Sequence, residues 1–330
     1  MTNPLAELLL ERDYLLADGA TGTNMMGMGL PAGRAPDLWN LERPDQVTRL
    51  HESFLEVGSD IILTNTFGAN RRRLVLDHAQ DRTREINEAG AEIARTAGDA
   101  TGRRVIVAGS MGPSGEMMEP HGKLNHELAL EIFSEQAEAL LRGGVDVLWI
   151  ETIFDFDELA AAIAAASGTG LPVASTMTFD TGGRTMMGNS PEEAADFIRS
   201  LSPGVIAYGA NCGVGPSMLL DSLLRLGRGG AEGDLIIAKS NCGVPRTVDG
   251  KVVYDGDEDT MARYARLARD AGARIIGGCC GTTPKHLAAI ATSLEGYIPG
   301  SPPDDAVIEA ALGKIVRSKG RAVRRRGRRG

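Results

Sequence analysis

At 330 residues, 42% of them hydrophobic, the chain is long enough to bury a large α/β core, and its four cysteines are too few for a secreted disulfide scaffold. No apolar run approaches the roughly 20 residues a bilayer span needs, and Met1-Thr2-Asn3-Pro4 lacks the layout of a signal peptide, so a reducing cytoplasm is the default location. The formal net charge is −9, yet residues 314–330 hold nine Lys and Arg and no acid, which leaves −18 on the rest, and so acidic a body does not point to nucleic acid.

In chain order, short β-rich runs alternate with longer segments of helical period. Runs at 14–17, 60–63, 105–108, 145–150, 173–177, 205–208, 235–238 and 274–276 read as eight strands. Helical patterns at 127–142, 158–166, 191–201, 257–271 and 284–294 fall between them. Strands separated this way form parallel βαβ units, and eight of them fit a closed (β/α)8 TIM barrel better than an open doubly wound sheet. The Gly19 to Gly22 turn is not GxGxxG, which weakens a dinucleotide reading. The barrel is expected over residues 1–300. Residues 301–330 read as a Pro-rich linker, a short helix at 306–316 and a basic tail of disordered composition. That helix would pack on the barrel or on a second subunit, so an oligomer is open.

Polar residues gather where the strands end: Asp18, Asn65, Ser110, Glu151, Asn211, Cys212, Asn241, Cys279 and Cys280. In a TIM barrel these positions share the face on which active sites are built. Strand alternation then predicts Val147 and Trp149 inward beneath Glu151, Leu148 and Ile150 toward the helices, and Cys212 above Ala210 and Tyr208.

Cys279 and Cys280 follow an apolar run and sit between glycines, so both thiols can turn toward one point without crowding. Cys212, in Gly209-Ala210-Asn211-Cys212-Gly213, ends another such run. Soft thiolates select zinc, and three protein ligands leave a fourth tetrahedral position for water or substrate, the catalytic type of site. The competing reading is three small buried hydrophobes or a vicinal disulfide. Cys242, also at a strand end, is expected to fill space rather than bind metal.

Asp18-Gly19-Ala20-Thr21-Gly22-Thr23, Asn65-Thr66-Phe67-Gly68, Gly109-Ser110-Met111-Gly112-Pro113, Ile150-Glu151-Thr152, Gly209-Ala210-Asn211-Cys212 and Gly277-Gly278-Cys279-Cys280-Gly281 together resemble the homocysteine S-methyltransferase family. The resemblance runs from about residue 10 to about residue 295. It implies a (β/α)8 barrel in which zinc, held by Cys212, Cys279 and Cys280, binds homocysteine as thiolate, making these the catalytic cysteines. It also implies that Asp18 and Glu151 hold the amino acid head of homocysteine. Charge-assisted hydrogen bonds suit carboxylates to an ammonium, and turns at Gly19, Gly22 and Gly109 are expected to offer backbone N–H groups to the carboxylate.

The methyl donor is expected to be a small molecule, glycine betaine first. A quaternary ammonium is held by aromatic faces, for which Trp39, Phe67 and Phe154 are the candidates, and His121 lies in the loop after the third strand on the same face. The alternative donors are S-methylmethionine and a separate methyl-corrinoid protein, since Phe67-Gly68 and the Gly183-Arg184-Thr185-Met186-Met187-Gly188 segment resemble the cobalamin-type branch of the family. A zinc lyase or hydrolase on the same barrel is the reading from another class. Three thiolates disfavour it, because their charge raises the pKa of bound water above that at His-rich sites.

Overall fold

The computed structural model describes residues 3–180, 182–227, 233–248 and 251–318, with only the backbone of Lys251 and Val252. Eight parallel strands form one sheet: β1 (Leu15–Leu16), β2 (Ile61–Leu63), β3 (Ile106–Met111), β4 (Val147–Ile153), β5 (Val173–Met177), β6 (Ala207–Cys212), β7 (Ile236–Ser240) and, after a hairpin of β8 (Pro245–Val248) and β9 (Lys251–Tyr254), β10 (Ala273–Gly278). The spatial order is β1-β10-β7-β6-β5-β4-β3-β2. A parallel bridge between Ala17 and Ile61 joins the two ends, backed by Asp18 N–H to the Ile61 carbonyl and Asp60 N–H to the Leu16 carbonyl. The sheet is a (β/α)8 barrel.

Each connection between consecutive strands of the barrel sheet carries at least one helix, and local chemistry starts those helices. Asn125, Asp155, Ser190 and Asp257 cap four of them with side-chain oxygens, Pro191 following Ser190 at the first helical position, and Pro44, Pro216 and Pro284 open others. The alternating strand residues divide the core in two. Leu15, Ala17, Ile61, Leu63, Ile106, Ala108, Val147, Trp149, Ala174, Ala207, Ile237 and Ile275 fill the barrel, together with Leu5 and Leu8 of the N-terminal helix Pro4–Leu8. Leu148, Ile150, Tyr208, Ala210 and their neighbours meet the helices. Completely burying one such aliphatic or aromatic side chain is worth roughly 1.5–3 kcal/mol.

The strands differ from the sequence expectation mainly at their carboxyl ends. β3, β4, β6, β7 and β10 continue through Ser110, Glu151, Asn211–Cys212, Lys239–Ser240 and Gly277–Gly278, segments expected to be loops. Ladder pairing there satisfies backbone groups that would otherwise be buried unpaired, while the polar side chains find partners in the barrel mouth. The β8–β9 hairpin was not anticipated. The C-terminal helix is Asp305–Leu312, ending at Gly313 (φ 95°) rather than at residue 316, and it packs on the barrel through the buried Ile308. The arginine run Arg324–Arg329 lies outside the described residues. Among the described residues, no helix is long and apolar enough to cross a membrane.

Candidate metal centre and active site

The alternation that fills the barrel with Ile106, Ala108, Val147, Trp149, Ala207, Ile237 and Ile275 continues upward to Ser110, Glu151, Asn211, Lys239 and Cys279. One polar layer therefore floors the mouth. Glu151 conforms to the predicted alternation; Cys212 does not. Tyr208 and Ala210 face the helices, and the inward residues of β6 are Ala207, Gly209 and Asn211. Cys212 escapes its strand's parity because its backbone turns left-handed (φ 62°) where β6 ends, ahead of Gly213 and Gly215.

The sulfurs of Cys212, Cys279 and Cys280 all lie within 4.8 Å of one another, and each residue is half-buried. Neighbours hold the paired cysteines from several sides. Cys279 N–H donates to the Ser240 carbonyl at 2.7 Å, Cys242 N–H to the Cys280 carbonyl at 2.9 Å, and Gly281 N–H to Thr23 Oγ1 at 3.1 Å. The Asn211 amide ties the Cys212 strand to β4: it donates to Thr152 Oγ1 at 2.7 Å and accepts from Thr152 N–H at 2.9 Å, while its Nδ2 lies 3.7 Å from Cys279 Sγ. Thr152 adopts φ 64° at the irregularity where β4 meets β5, which makes this exchange possible.

The donor set fits a soft cation. Hydrogen bonds among the three thiols act in both directions, and with burial and mutual repulsion added the balance pushes Cys212 and Cys280 up to about 12 and raises Cys279 as well. A trio held so far above the ordinary thiol range becomes thiolate only when a cation shares the site. Asn241 Oδ1 is buried with no hydrogen-bond partner among the described residues, and its Nδ2 donates to the Gly213 carbonyl at 2.6 Å. Cys242 stands apart: it is buried and its Sγ donates to the Gly256 carbonyl at 3.2 Å.

Asp18 and Glu151 lie in the same electrostatic neighbourhood. Asp18 Oδ1 pairs with Lys239 Nζ at 2.6 Å and Oδ2 accepts from Leu63 N–H at 2.8 Å. Glu151 Oε1 accepts from Ser110 Oγ at 2.5 Å. Burial raises the Glu151 pKa, the Lys239 charge and the Ser110 hydroxyl oppose the rise, and the nearby Asp18 carboxylate adds to it. The Glu151 charge also reaches Cys279.

Of the glycines, Gly19 is required by packing, since a Cβ there would meet Phe54 and the Thr282 carbonyl at 2.8 Å. Gly109 is not in a turn. It lies within β3 opposite Leu148, where the missing Cβ admits Leu140, so the expected carboxylate cradle does not form at this position. Gly22 begins the short helix Gly22–Gly27. The donor-site aromatics are not open rings. Trp39 is only 7% exposed within the hydrophobic core, and Phe67 carries the Arg73 guanidinium 5.5 Å above its ring. Phe154 is half-buried and His121 is exposed in its loop. Asn65 serves the loop instead of the mouth, donating to the Pro36 carbonyl and to Asn40 Oδ1.

Lys239, Thr152 and Tyr254 were overlooked as site residues. Tyr254, at the end of β9, lies over Gly281, its phenol pKa raised by burial and by the Cys280 thiol. Lys239 announces itself in the sequence as a lone charge in an apolar strand, Ile236-Ile237-Ala238-Lys239, and Tyr254 has no such signal.

A barrel with a three-thiolate pocket and two carboxylates at its mouth defines a class of thiol-handling enzymes. The chain belongs to the homocysteine S-methyltransferase family, whose model matches residues 15–294. It is 30% identical over 302 residues to the methionine synthase of Mycobacterium tuberculosis (87% of this chain, 25% of that protein). It is 29% identical over 315 residues to that of Mycobacterium leprae (89% and 26%). The chain thus spans about a quarter of the length of these relatives. Among solved structures it is similar to the homocysteine methyltransferase MmuM from Escherichia coli in its oxidized form, with a TM-score of 0.74 and 25% identity over 88% of this chain and 99% of that one. The fold matches the metallated form of that enzyme equally well, at 24% identity and TM-score 0.74.

Proposed function

We propose that the protein transfers a methyl group to the sulfur of homocysteine, giving methionine, with zinc held by Cys212, Cys279 and Cys280. The carrying observation is the convergence of these three sulfurs within 4.8 Å, from two separate strands, beside the Asp18–Glu151–Lys239 layer. Bound zinc would supply Lewis acidity, keeping a substrate thiol deprotonated at neutral pH.

The chain's own residues do the rest. Three thiolates place surplus negative charge around the site, so the substrate sulfur stays electron-rich and nucleophilic. Asp18, Glu151 and Lys239 in their charged forms sum to one negative charge, which matches the single ammonium of an amino acid. Lys239 aims Asp18, and Ser110 orients Glu151. Asn211 fixes the β4 and β6 ends relative to each other, and so the head-group carboxylate relative to the sulfur site.

Glycine betaine is the donor expected from the sequence. The cover of Arg73 over Phe67 and the burial of Trp39 leave no assembled aromatic cage for it in this conformation. The similarity to methionine synthases favours a second reading, a methyl-corrinoid protein as donor, with S-methylmethionine as the small-molecule alternative. Incubating purified zinc-loaded protein with homocysteine and each donor in turn decides between them by methionine formation. Turnover with none of the three, while homocysteine still binds, would sink the donor set; absence of homocysteine binding would sink the function.

A further inference from the structure

After the helix Asp305–Leu312, residues 313–318 stay on the barrel. They run back over its carboxyl-end face, where Ile315 packs against the core and the other contacts are polar. Ser217 Oγ donates to the Lys314 carbonyl at 3.3 Å, and Val316 N–H approaches Met218 Sδ at 3.1 Å. Ser318 N–H donates to the Gly182 carbonyl at 2.9 Å. Arg317 reaches Asp221 Oδ1 through Nε at 2.9 Å and Nη2 at 2.6 Å, and pairs with Asp305 on its other side. The Asp221 side chain is 1% exposed.

These contacts converge on two segments. Ser217, Met218 and Asp221 form the first turns of the helix Pro216–Gly227, joined to Cys212 by three residues, and Met218 lines a small cavity together with Asn211 and Cys212. Gly182 belongs to the loop after β5, on the same face. Asp221 connects the two, because Arg225, 3.5 Å from its other oxygen, also donates to the Gly183 carbonyl and forks onto Glu192. Apart from Ile315, half-buried against the core, the segment is mostly exposed, with Val316 at 65%. Its bonds serve geometry more than the core.

We propose that residues 313–318 are a positioning strap for the metal centre, with Arg317 as the lock that holds Asp221, and through it the Cys212 helix and the loop after β5, in register. Arg317 touches no reacting atom and acts through Asp221, while Val316 beside it meets Met218. The inference rests on the reading of Cys212 as a metal ligand. Nothing in the family pattern, which ends near residue 294, requires the strap.

The test is zinc affinity of the full-length protein, measured by competition with a chromophoric chelator, beside thermal unfolding of the metal-free form. Arg317→Ala is expected to weaken zinc binding by about tenfold, the usual cost of losing an outer partner of a metal ligand, with the metal-free unfolding midpoint little changed. Arg317→Lys should recover part of the loss, since one ammonium cannot fork between Asp221 and Asp305. Ser318→Pro, which removes both the N–H and the hydroxyl bond to the Gly182 carbonyl, should weaken binding in the same direction and decides the matter if Arg317→Ala does not fold. Zinc affinity within about twofold of wild type in Ser318→Pro and in every folded Arg317 variant would overturn the strap, being far below the effect expected of an outer partner. Failure of the wild-type protein itself to bind zinc would overturn the metal-centre reading beneath it.

Discussion

Asp18 and Lys239 form an ion pair of 2.6 Å with both side chains 3% exposed. It spans β10, which lies between β1 and β7, and the second Asp18 oxygen accepts from Leu63 N–H of β2, so one carboxylate braces the barrel where its ends meet. Removing one partner strands the other charge away from water. Lys239→Met should therefore cost about 3–5 kcal/mol of stability, most of it recovered when Asp18→Asn is added. Denaturant unfolding of the two single variants and the double variant checks this; additive losses would show that the pair is not coupled.

The four cysteines divide three against one. Cys280→Ala should abolish stoichiometric zinc while the barrel stays folded. Cys242→Ala should keep one zinc per chain, because Cys242 is bonded to the Gly256 carbonyl outside the trio, and should cost about 1 kcal/mol for the lost buried atom. Metal analysis of the two purified variants is sufficient, and full zinc in Cys280→Ala would remove that residue from the ligand set.

Two buried groups give opposing pH dependences. Burial raises Asp37 to about 6, although it accepts from Gly68 N–H, and burial lowers His51 to about 4. The native state binds the Asp37 proton more tightly than the unfolded chain does, so its contribution is intact below pH 3.8 and is lost as pH rises through about 6. For His51 the unfolded chain binds the proton more tightly, so stability falls as pH drops from 6.5 toward 4. Asp37→Asn keeps an acceptor for Gly68 and removes only the first slope. The variant should be more stable than wild type at pH 7 by up to about 3 kcal/mol, with the advantage fading toward pH 4. A pH-independent difference would contradict this assignment.

Much of the fold is legible in the sequence because a parallel barrel strand is an apolar run with a period of two, bounded by helix caps. Val173–Met177 coincides with its expected bounds, and Val147 and Trp149 face inward beneath Glu151 as alternation requires. Alternation fails at Cys212, since a left-handed residue at a strand end leaves no mark in a hydropathy pattern. The strand ends were misjudged for a related reason. Ser110, Asn211 and Lys239 read as loop by polarity, yet their backbones stay in the ladder while their side chains floor the mouth.

The candidate site was legible in its thiols, which chemistry restricts to few roles, and less so in its supports. Ser110 on Glu151 and Thr152 on Asn211 are pairings 41 and 59 residues apart, set by the barrel's register and by no local motif. The aromatic donor candidates were chosen by loop position alone. Tertiary packing then placed Trp39 in the core and Arg73 over Phe67.

The most direct test of the account is X-ray absorption at the zinc edge of the full-length protein, with and without homocysteine. The account predicts three sulfur neighbours from Cys212, Cys279 and Cys280 in the free protein and a fourth sulfur when homocysteine is added. A zinc shell unchanged by saturating homocysteine would contradict the claim that this site activates the substrate thiol.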